Sequence, residues 1–178
     1  MTEAELERQA IHESVRLVPY SDRWPADFRA ERNRLIAMAP ELLAVEHIGS
    51  TAVPGLAAKP IIDMIAAVPS MEVADRVVER LSGGGYITSV EFNCSLGDRR
   101  WLMRHAGGHR THHLHLVLVN SRHWTQCISF RDALRRDSRL AACYADLKQR
   151  LALQFGADRD AYGNAKAEFI ASALSADG

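Results

Sequence analysis

The stretch His47-Ile48-Gly49-Ser50-Thr51, followed closely by Lys59-Pro60-Ile61-Ile62-Asp63, decides the fold. Residues 45–48 predict a short strand, and residues 61–68, which are nearly all apolar, predict a central strand covered on both faces. A glycine-serine turn that leaves a strand exposes backbone N–H groups and a hydroxyl, which suit phosphate oxygens. The alternative interpretation is a tight turn that only requires small residues.

Asp63 is the one carboxylate in the predicted central strand. A buried carboxylate costs several kcal/mol unless it is paired, hydrogen-bonded or bound to a metal. We therefore expect Asp63 to bind a cation or a ligand and, if the protein is an enzyme, to be its catalytic residue. The alternative role is to accept hydrogen bonds from backbone N–H groups of a neighbouring loop.

Six of the eight histidines lie between residues 105 and 123. His113 and His115 are two positions apart in a predicted strand, so both imidazoles point to one face, about 7 Å apart. If this strand lies beside the Asp63 strand, the three side chains could hold a divalent metal. The alternative is a pair of histidines that hydrogen-bond to carbonyl groups on a half-polar sheet face.

The composition limits the classes of function. The 178 residues include 22 lysines and arginines and 22 aspartates and glutamates, so the formal net charge is zero. Neutrality argues against a protein that wraps DNA or binds membranes through basic residues. No apolar run is long enough to span a membrane, the charged N-terminus does not resemble a signal peptide, and the three cysteines are widely spaced. The sequence predicts a soluble cytoplasmic protein without a disulfide framework.

The order of predicted elements indicates a single α/β domain over residues 1–178. Residues 1–14 have little apolar content and predict a loose N-terminal arm. Residues 15–120 form a mixed sheet half, and residues 121–178 form a helical half on the same core. Later predicted strands span residues 86–92, 100–105 and 113–119, and the predicted C-terminal helices span 121–136, 138–155 and 159–174.

Basic residues stand out in two further regions. The histidine-rich region carries five arginines and a single nearby acid, Asp98. A locally positive face suggests a small anion such as a nucleotide or phosphate, although an exposed, solvated hairpin would have the same composition. The helical half carries Tyr144/Lys148 and Tyr162/Lys166, each pair spaced to lie on one helix face. Each lysine could contact phosphate, or its stem could pack on the tyrosine ring.

Together these segments resemble the GrpB family. The resemblance rests first on residues 47–56 and 58–63, a long and specific block. It continues in His113-Leu114-His115 and in residues 130–135 and 144–148, and it also includes Tyr162 and Lys166. It covers residues 15–174, essentially the whole chain.

The resemblance implies a nucleotidyltransferase-like fold, a mixed β-sheet flanked by helices with a C-terminal helical segment. That superfamily places Gly-Ser after the first core strand and an Asp-x-Asp/Glu pair on the next. Here Asp63 is present, but Ile65 replaces the second acid, and His113 and His115 occupy the place of a third. Because two Mg²⁺ ions need a carboxylate cluster, we expect a divalent ion of the softer kind, Mn²⁺, Zn²⁺ or Ni²⁺, in preference to Mg²⁺.

The function implied is that of a nucleotidyltransferase-like protein that binds a nucleotide or a phosphorylated small molecule. The glycine-serine turn would contact the phosphates, and Lys59 and Arg110 would neutralise their charge. Asp63 and the two histidines would hold the metal, and any turnover would transfer a nucleotidyl or phosphoryl group. The expected ligand-binding residues are His47, Gly49, Ser50, Thr51, Lys59, Arg110, Tyr162 and Lys166.

Two other functions also fit the sequence. The family resembles a domain fused to dephospho-CoA kinase in some bacteria, which favours an accessory domain with a decayed site and a protein partner. Gly55 is followed by Leu56, so no Walker A segment and no kinase half are expected. Metal-dependent hydrolysis at Asp63 and the histidines is the third hypothesis. We expect no membrane partner, and the neutral charge without an aromatic-basic platform argues against nucleic acid.

Overall fold

The computed structural model describes residues 1–176, which contain one four-stranded mixed sheet. Its strands are β1 (Ala44–Ile48), β2 (Ile62–Val68), β3 (Arg99–Ala106) and β4 (His109–Leu118). Their order across the sheet is β1-β2-β4-β3. β2 is parallel to β4, whereas β1 and β3 are antiparallel to their neighbours. The central pair is therefore made of two strands that are distant in sequence.

Helices pack on both faces of the sheet, and the last four of them follow the final strand in the chain. They are α1 (Glu3–Ile11), α2 (Trp24–Met38), α3 (Met71–Ser82), α4 (Val90–Ser95), α5 (Arg122–Arg136), α6 (Ser138–Phe155), α7 (Arg159–Asn164) and α8 (Ala167–Ala176). A short 3-10 turn, Ser50–Ala52, follows β1. The expected fold class, a mixed sheet flanked by helices with a C-terminal helical segment, is confirmed.

The core occupies both faces of the sheet. On one face, Met64 and Leu114 pack against α2 and α3. On the other face, Ile65 and Val117 pack against side chains of α5. Residues 64–68 of β2 are fully buried, which agrees with the apolar run in the sequence.

Two elements differ from the sequence-based prediction. Residues 86–92 do not form a strand: Ile87 makes an isolated bridge to Met103, and α4 begins directly afterwards. The hydroxyl of Ser89 accepts a hydrogen bond from the backbone N–H of Phe92, which caps the helix and ends the extended segment. The third C-terminal helix is divided into α7 and α8, and residues 177 and 178 of the predicted helical half lie outside the described residues.

The N-terminal arm is a docked helix rather than the loose segment that its composition predicted. Thr2 and Glu5 form a capping box at the start of α1. At its end, the guanidinium of Arg110 donates to the carbonyl oxygens of Ala10 and Ile11, at 2.9 and 2.8 Å. These carbonyls lack partners within their own helix, so Arg110 both caps α1 and ties it to β4.

Within residues 1–176, no helix combines the length and the apolar character needed to cross a membrane. In the same part of the chain the three cysteines are free, as expected from their spacing. Cys94 and Cys143 are exposed and Cys127 is half-buried.

Candidate functional site

The glycine-serine turn lies directly against Asp63. Ile48, the last residue of β1, is the register partner of Asp63 on β2, and Gly49 follows it with φ +70° and ψ −170°. A Cβ atom on residue 49 would lie 2.7 Å from Oδ2 of Asp63. Only glycine fits this position, because a side chain would be both strained and in collision with the carboxylate. The predicted neighbourhood of the turn and the acid is therefore present.

Asp63 is hydrogen-bonded to His113, its register partner on β4. Nδ1 of His113 lies 2.9 Å from Oδ1 of Asp63. Burial raises the pKa of Asp63, but the hydrogen bond from His113 and the positive charge of Lys59 outweigh it and hold this pKa well below its usual range. Burial lowers the pKa of His113 more than Asp63 raises it. A neutral imidazole therefore donates Nδ1–H to an ionised carboxylate.

The other ring nitrogen of His113, Nε2, is buried and has no hydrogen-bond partner among the described residues, and the same is true of Nδ1 of His115. His115 lies on the same sheet face, with its ring centroid 5.5 Å from that of His123. Burial, and then the neighbouring His123, lower the pKa of His115 to about 3. Both imidazoles are therefore neutral near pH 7 and keep a nitrogen able to bind another group.

These residues do not fit a pair of Mg²⁺ ions. Over the described part of the chain, no group of three or more His, Cys, Asp or Glu residues is placed to hold a metal ion. Ile65, at the position of the second acid, is fully buried in the apolar core. The predicted metal ligands Asp63, His113 and His115 share one face, but Asp63 and His113 are hydrogen-bonded to each other. This ligand set remains a prediction.

Lys148 of α6 reaches the glycine-serine turn from the helical half. Its side chain is almost completely buried, and its Nζ donates to Oγ of Ser50 at 2.9 Å and to the carbonyl of Ala57. Burial, followed by the charge of Lys166, lowers the pKa of Lys148 to about 7. Tyr144 and Lys148 form one of the predicted tyrosine-lysine pairs but are not among the expected ligand-binding residues. The resemblance of this pair to the Tyr162/Lys166 pair was the signal that could have included it.

The ammonium groups of the three lysines each lie near an aromatic ring. Nζ of Lys166 lies 4.4 Å from the ring centroid of Tyr162, and Nζ of Lys59 lies 5.5 Å from the same centroid. Nζ of Lys148 lies 5.1 Å from the ring centroid of Tyr144. Both tyrosine-lysine pairs therefore make the ring contact that was one of their two expected roles. The ammonium of Lys148 also lies beside a potential phosphate-binding hydroxyl.

His47 and Thr51, which were expected to bind the ligand, instead hold the turn. Nε2 of His47 lies 3.0 Å from Oγ1 of Thr51, and that hydroxyl donates to the carbonyl of Ile61. His47 stacks on Phe28, on the sheet face opposite Asp63. Both side chains are buried, so their hydroxyl and imidazole groups fix the backbone rather than face the site.

Arg110 lies near the site, but its guanidinium is hydrogen-bonded to the end of α1. Besides its hydrogen bonds to that helix, its guanidinium lies 5.9 Å from the ring centroid of Trp101. A cavity of about 420 Å³ opens beside Lys59 and Arg110, between residues 13–18 and the start of β4. The side chain of Asp63 is 30% exposed, so the carboxylate remains accessible from solvent.

A mixed sheet with a glycine-serine turn packed against a strand-borne aspartate defines a protein of nucleotidyltransferase-like fold. Structures of the Cid1 poly(U) polymerase share this fold: the one with Mg 3'-dATP bound aligns with a TM-score of 0.53 at 14% identity, over 83% of this chain and 49% of that one. Residues 14–176 match the family described as GrpB protein, and the chain belongs to this family. A crystal structure of GrpB from Enterococcus faecalis aligns with a TM-score of 0.78 at 33% identity, over 90% of this chain and 98% of that one.

Curated relatives extend the same family. The UPF0157 protein YqkA of Bacillus subtilis is 36% identical over 160 residues, which are 89% of this chain and 46% of YqkA. The chain thus spans less than half of that relative. The glutamate-rich protein GrpB of Alkalihalophilus pseudofirmus is 32% identical over 90% of this chain and 94% of its own length. A dephospho-CoA kinase of Mycolicibacterium paratuberculosis is 45% identical over 83 residues, 44% of this chain and 20% of the kinase.

Proposed function

We propose that this protein binds a nucleotide or another phosphorylated small molecule at a phosphate site formed by Gly49, Ser50, Lys148 and Lys166. The observation that carries the proposal is the buried ammonium of Lys148, whose hydrogen-bond acceptors, a hydroxyl and a carbonyl, are both neutral. Burying an ammonium without a counter-charge is costly, and a bound phosphate would supply the missing negative charge. The site therefore has the charge of a receptor for an anion.

The fold supports this assignment. One structure of Cid1, the poly(U) polymerase that shares the fold, is described as MgGTP bound, and it aligns with a TM-score of 0.51. In our proposal the turn and Ser50 contact the phosphates, and Asp63 lies next to the group that is transferred if the protein has turnover. That reaction would be nucleotidyl or phosphoryl transfer. A nucleotide ligand also fits the cytoplasmic location that we propose for the chain.

We further propose that any metal at this site is a single divalent ion. Asp63 and the unpartnered ring nitrogens of His113 and His115 are the groups that would hold it, and imidazole favours Mn²⁺, Zn²⁺ or Ni²⁺ over Mg²⁺. His113 would have to leave Asp63 to do so. Titration with Mn²⁺ and Zn²⁺ tests this: saturable binding that Asp63→Asn abolishes supports it, and no binding of either ion contradicts it.

The experiment for the main proposal is isothermal titration calorimetry with ATP, CTP, GTP and UTP, each with and without Mn²⁺. We expect saturable binding of at least one nucleotide, weakened about tenfold by Ser50→Ala because one hydrogen bond to phosphate is lost. Ser82→Ala, at an exposed position of α3, is the matched control and should bind like the wild type. Absence of binding under every condition would sink the proposal.

A second candidate is an accessory or protein-interaction domain, favoured by the 45% identity to part of a dephospho-CoA kinase. In that case the site around Asp63 is inactive, and the protein acts by binding a protein partner through its surface. A deletion strain complemented with Asp63→Ala separates the two candidates. Full rescue favours the accessory role, whereas failure to rescue with normal protein levels favours a function that depends on the site.

A further inference from the structure

The chain uses lysine at only three positions. Residues 59, 148 and 166 are its lysines, so 19 of its 22 lysines and arginines are arginine. Lys59 and Lys166 meet at the ring of Tyr162, and their charges act on Lys148, whose Nζ contacts Ser50 of the glycine-serine turn. Arginine serves elsewhere for surface charge and ion pairs, for example Arg80 with Glu41. The lysines of this chain are therefore gathered in one part of the structure.

The three ammonium groups are close enough to affect one another. Lys59 and Lys166 contact the same ring, that of Tyr162. The charges of Lys166 and Lys59 both disfavour the charged form of Lys148 and so lower its pKa. The negative charge of Asp63 favours the charged forms of Lys148 and Lys166 and so raises the pKa of both. In the described part of the chain, neither of these two lysines forms an ion pair.

The site contains more lysines than carboxylates, whereas a two-metal site contains more carboxylates than lysines. Such a site carries an excess of carboxylates, and divalent cations neutralise it before the phosphates bind. Here the charge of one carboxylate, itself hydrogen-bonded to His113, acts on both Lys148 and Lys166. Linked phosphates would be attracted to these ammonium groups without a divalent cation between them.

We infer that Lys148 and Lys166, together with Lys59, bind the linked phosphates of the ligand directly and replace the divalent ions, so that binding requires no metal. This inference rests on the proposed function and adds the ligand class: a molecule with two or more linked phosphates. Lysine suits the task because its compact ammonium has three rotatable donors and fits where a planar guanidinium would not. Nucleoside triphosphates and inorganic tripolyphosphate share this chemistry.

Calorimetry in EDTA tests the inference with inorganic tripolyphosphate, ATP and AMP. Tripolyphosphate should bind in EDTA about as well as with Mg²⁺. AMP, with one phosphate, should bind about tenfold to a hundredfold more weakly than ATP, since it loses charged hydrogen bonds. If tripolyphosphate and ATP bind equally, the phosphate chain alone is recognised; tighter binding of ATP adds a nucleoside contact.

The variants for this test are Lys148→Met and Lys166→Met, each of which should weaken tripolyphosphate binding about tenfold or more. Arg150→Met is the matched control, because it removes one positive charge from an exposed position of the same helix as Lys148. It should bind like the wild type. Equal affinity of all three variants and the wild type would overturn the inference.

The outcome also distinguishes the inference from the proposed function. Nucleotide binding that appears with Mn²⁺ or Mg²⁺ and disappears in EDTA would overturn the inference and leave the proposed function standing. Absence of binding with and without metal would remove both. Tight binding in EDTA that depends on both lysines supports both.

Amine labelling gives a second readout on the unaltered protein. Acetic anhydride acylates amines, and the only side-chain amines in this chain are the three lysines, so mass spectrometry can follow each one together with the amine of Met1. Tripolyphosphate in EDTA should slow acylation of Lys166, which is more exposed than Lys148, about tenfold by covering its amine, and leave Met1 unchanged. An equal rate at Lys166 with and without saturating tripolyphosphate would overturn the inference.

Discussion

The buried charged groups on the two faces of the sheet differ in whether they have partners of opposite charge. Under α2, the carboxylate of Glu31 is almost completely buried and fully paired. It accepts hydrogen bonds from the hydroxyl of Tyr86 at 2.9 Å and from the guanidinium groups of Arg34 and Arg104 at 2.8 and 2.7 Å. Burial raises the pKa of Glu31, but these partners outweigh burial and lower it overall. Each charged group in this cluster is paired with one of opposite sign, and the two arginines share the single carboxylate.

On the opposite face the charges are not balanced. Asp63 is paired with a neutral histidine, ring nitrogens of His113 and His115 lack partners among the described residues, and the ammonium of Lys148 contacts neutral oxygens. The groups on the two faces come from the sheet and from different helices, α2 on one face and α6 on the other. Removing one partner of a paired buried cluster is destabilising, whereas the unpaired groups on the other face are consistent with the ligand site that we propose.

The largest effect expected is on the balanced face. Glu31→Leu leaves two guanidinium groups and a tyrosine hydroxyl without their shared acceptor, and should lower the free energy of unfolding by about 3 kcal/mol. Urea denaturation measures it. Glu41→Leu, which breaks the exposed ion pair with Arg80, is the control and should change stability little. Similar losses in both variants would contradict the comparison.

The next largest effect is expected at Gly49, in the turn that follows β1. Gly49→Ala introduces a Cβ against Asp63 in a backbone conformation that is restricted to glycine, and should cost about 2 kcal/mol of unfolding free energy. Gly83→Ala is its control, since Gly83 is helical and the nearest atom to its added Cβ is an ordinary 3.5 Å away. A Gly49→Ala protein as stable as the Gly83→Ala protein would show that the turn tolerates a side chain.

The unbalanced face should also be sensitive to acid. The pKa of His115 is about 3 in the folded protein, against about 6.5 when unfolded. The unfolded chain therefore binds more protons between these values, and the protein loses stability as pH falls from 6.5 towards 3. His115→Leu should reduce the loss between pH 6.5 and 4 by about 2 kcal/mol. The exposed His12→Leu is the control, and identical acid profiles for both variants would refute the prediction.

The smallest and most diagnostic effect is a gain of stability. Lys148→Met removes an uncompensated buried ammonium and should leave the free energy of unfolding at pH 7 unchanged or raise it by about 1 kcal/mol. The wild type should gain stability as pH rises from 7 to 10, because the pKa of Lys148 is about 7 in the folded chain and about 10.4 when unfolded. The variant should lack this contribution. A large loss of stability in Lys148→Met would contradict this prediction and show that Lys148, like Glu31, stabilises the fold.

The sequence was most informative where local patterns determine structure. The apolar run around Asp63 predicted a buried strand, and the alternation at His113 and His115 placed both on one face. The pairing of Asp63 with His113 depends on β2 lying next to β4, fifty residues away, which no local pattern specifies. A long-range contact also accounts for the incorrect prediction at residues 1–14.

Side-chain contacts explain the incorrect predictions. Residues 86–92 have strand-like composition, but the cap at Ser89 starts a helix instead. The arm at residues 1–14 is held by Arg110, an arginine a hundred residues away that was expected at the ligand. Lys148 was not placed at the turn because its partner, Ser50, lies 98 positions earlier in the chain. The cap at Ser89 is a local contact, whereas the contacts of Arg110 and Lys148 each join segments about a hundred residues apart.

The distance in sequence between Lys148 and Ser50 has a kinetic consequence. The closing of so long a loop costs entropy, and proteins rich in such contacts fold slowly. During synthesis on the ribosome the turn and all four strands emerge before α6, so Lys148 of the proposed phosphate site is made after the whole sheet. The proposed ligand could therefore bind only after α6 has been made. Once the chain is released, ligand would favour the fully folded molecule by mass action and protect its C-terminal helices from proteolysis.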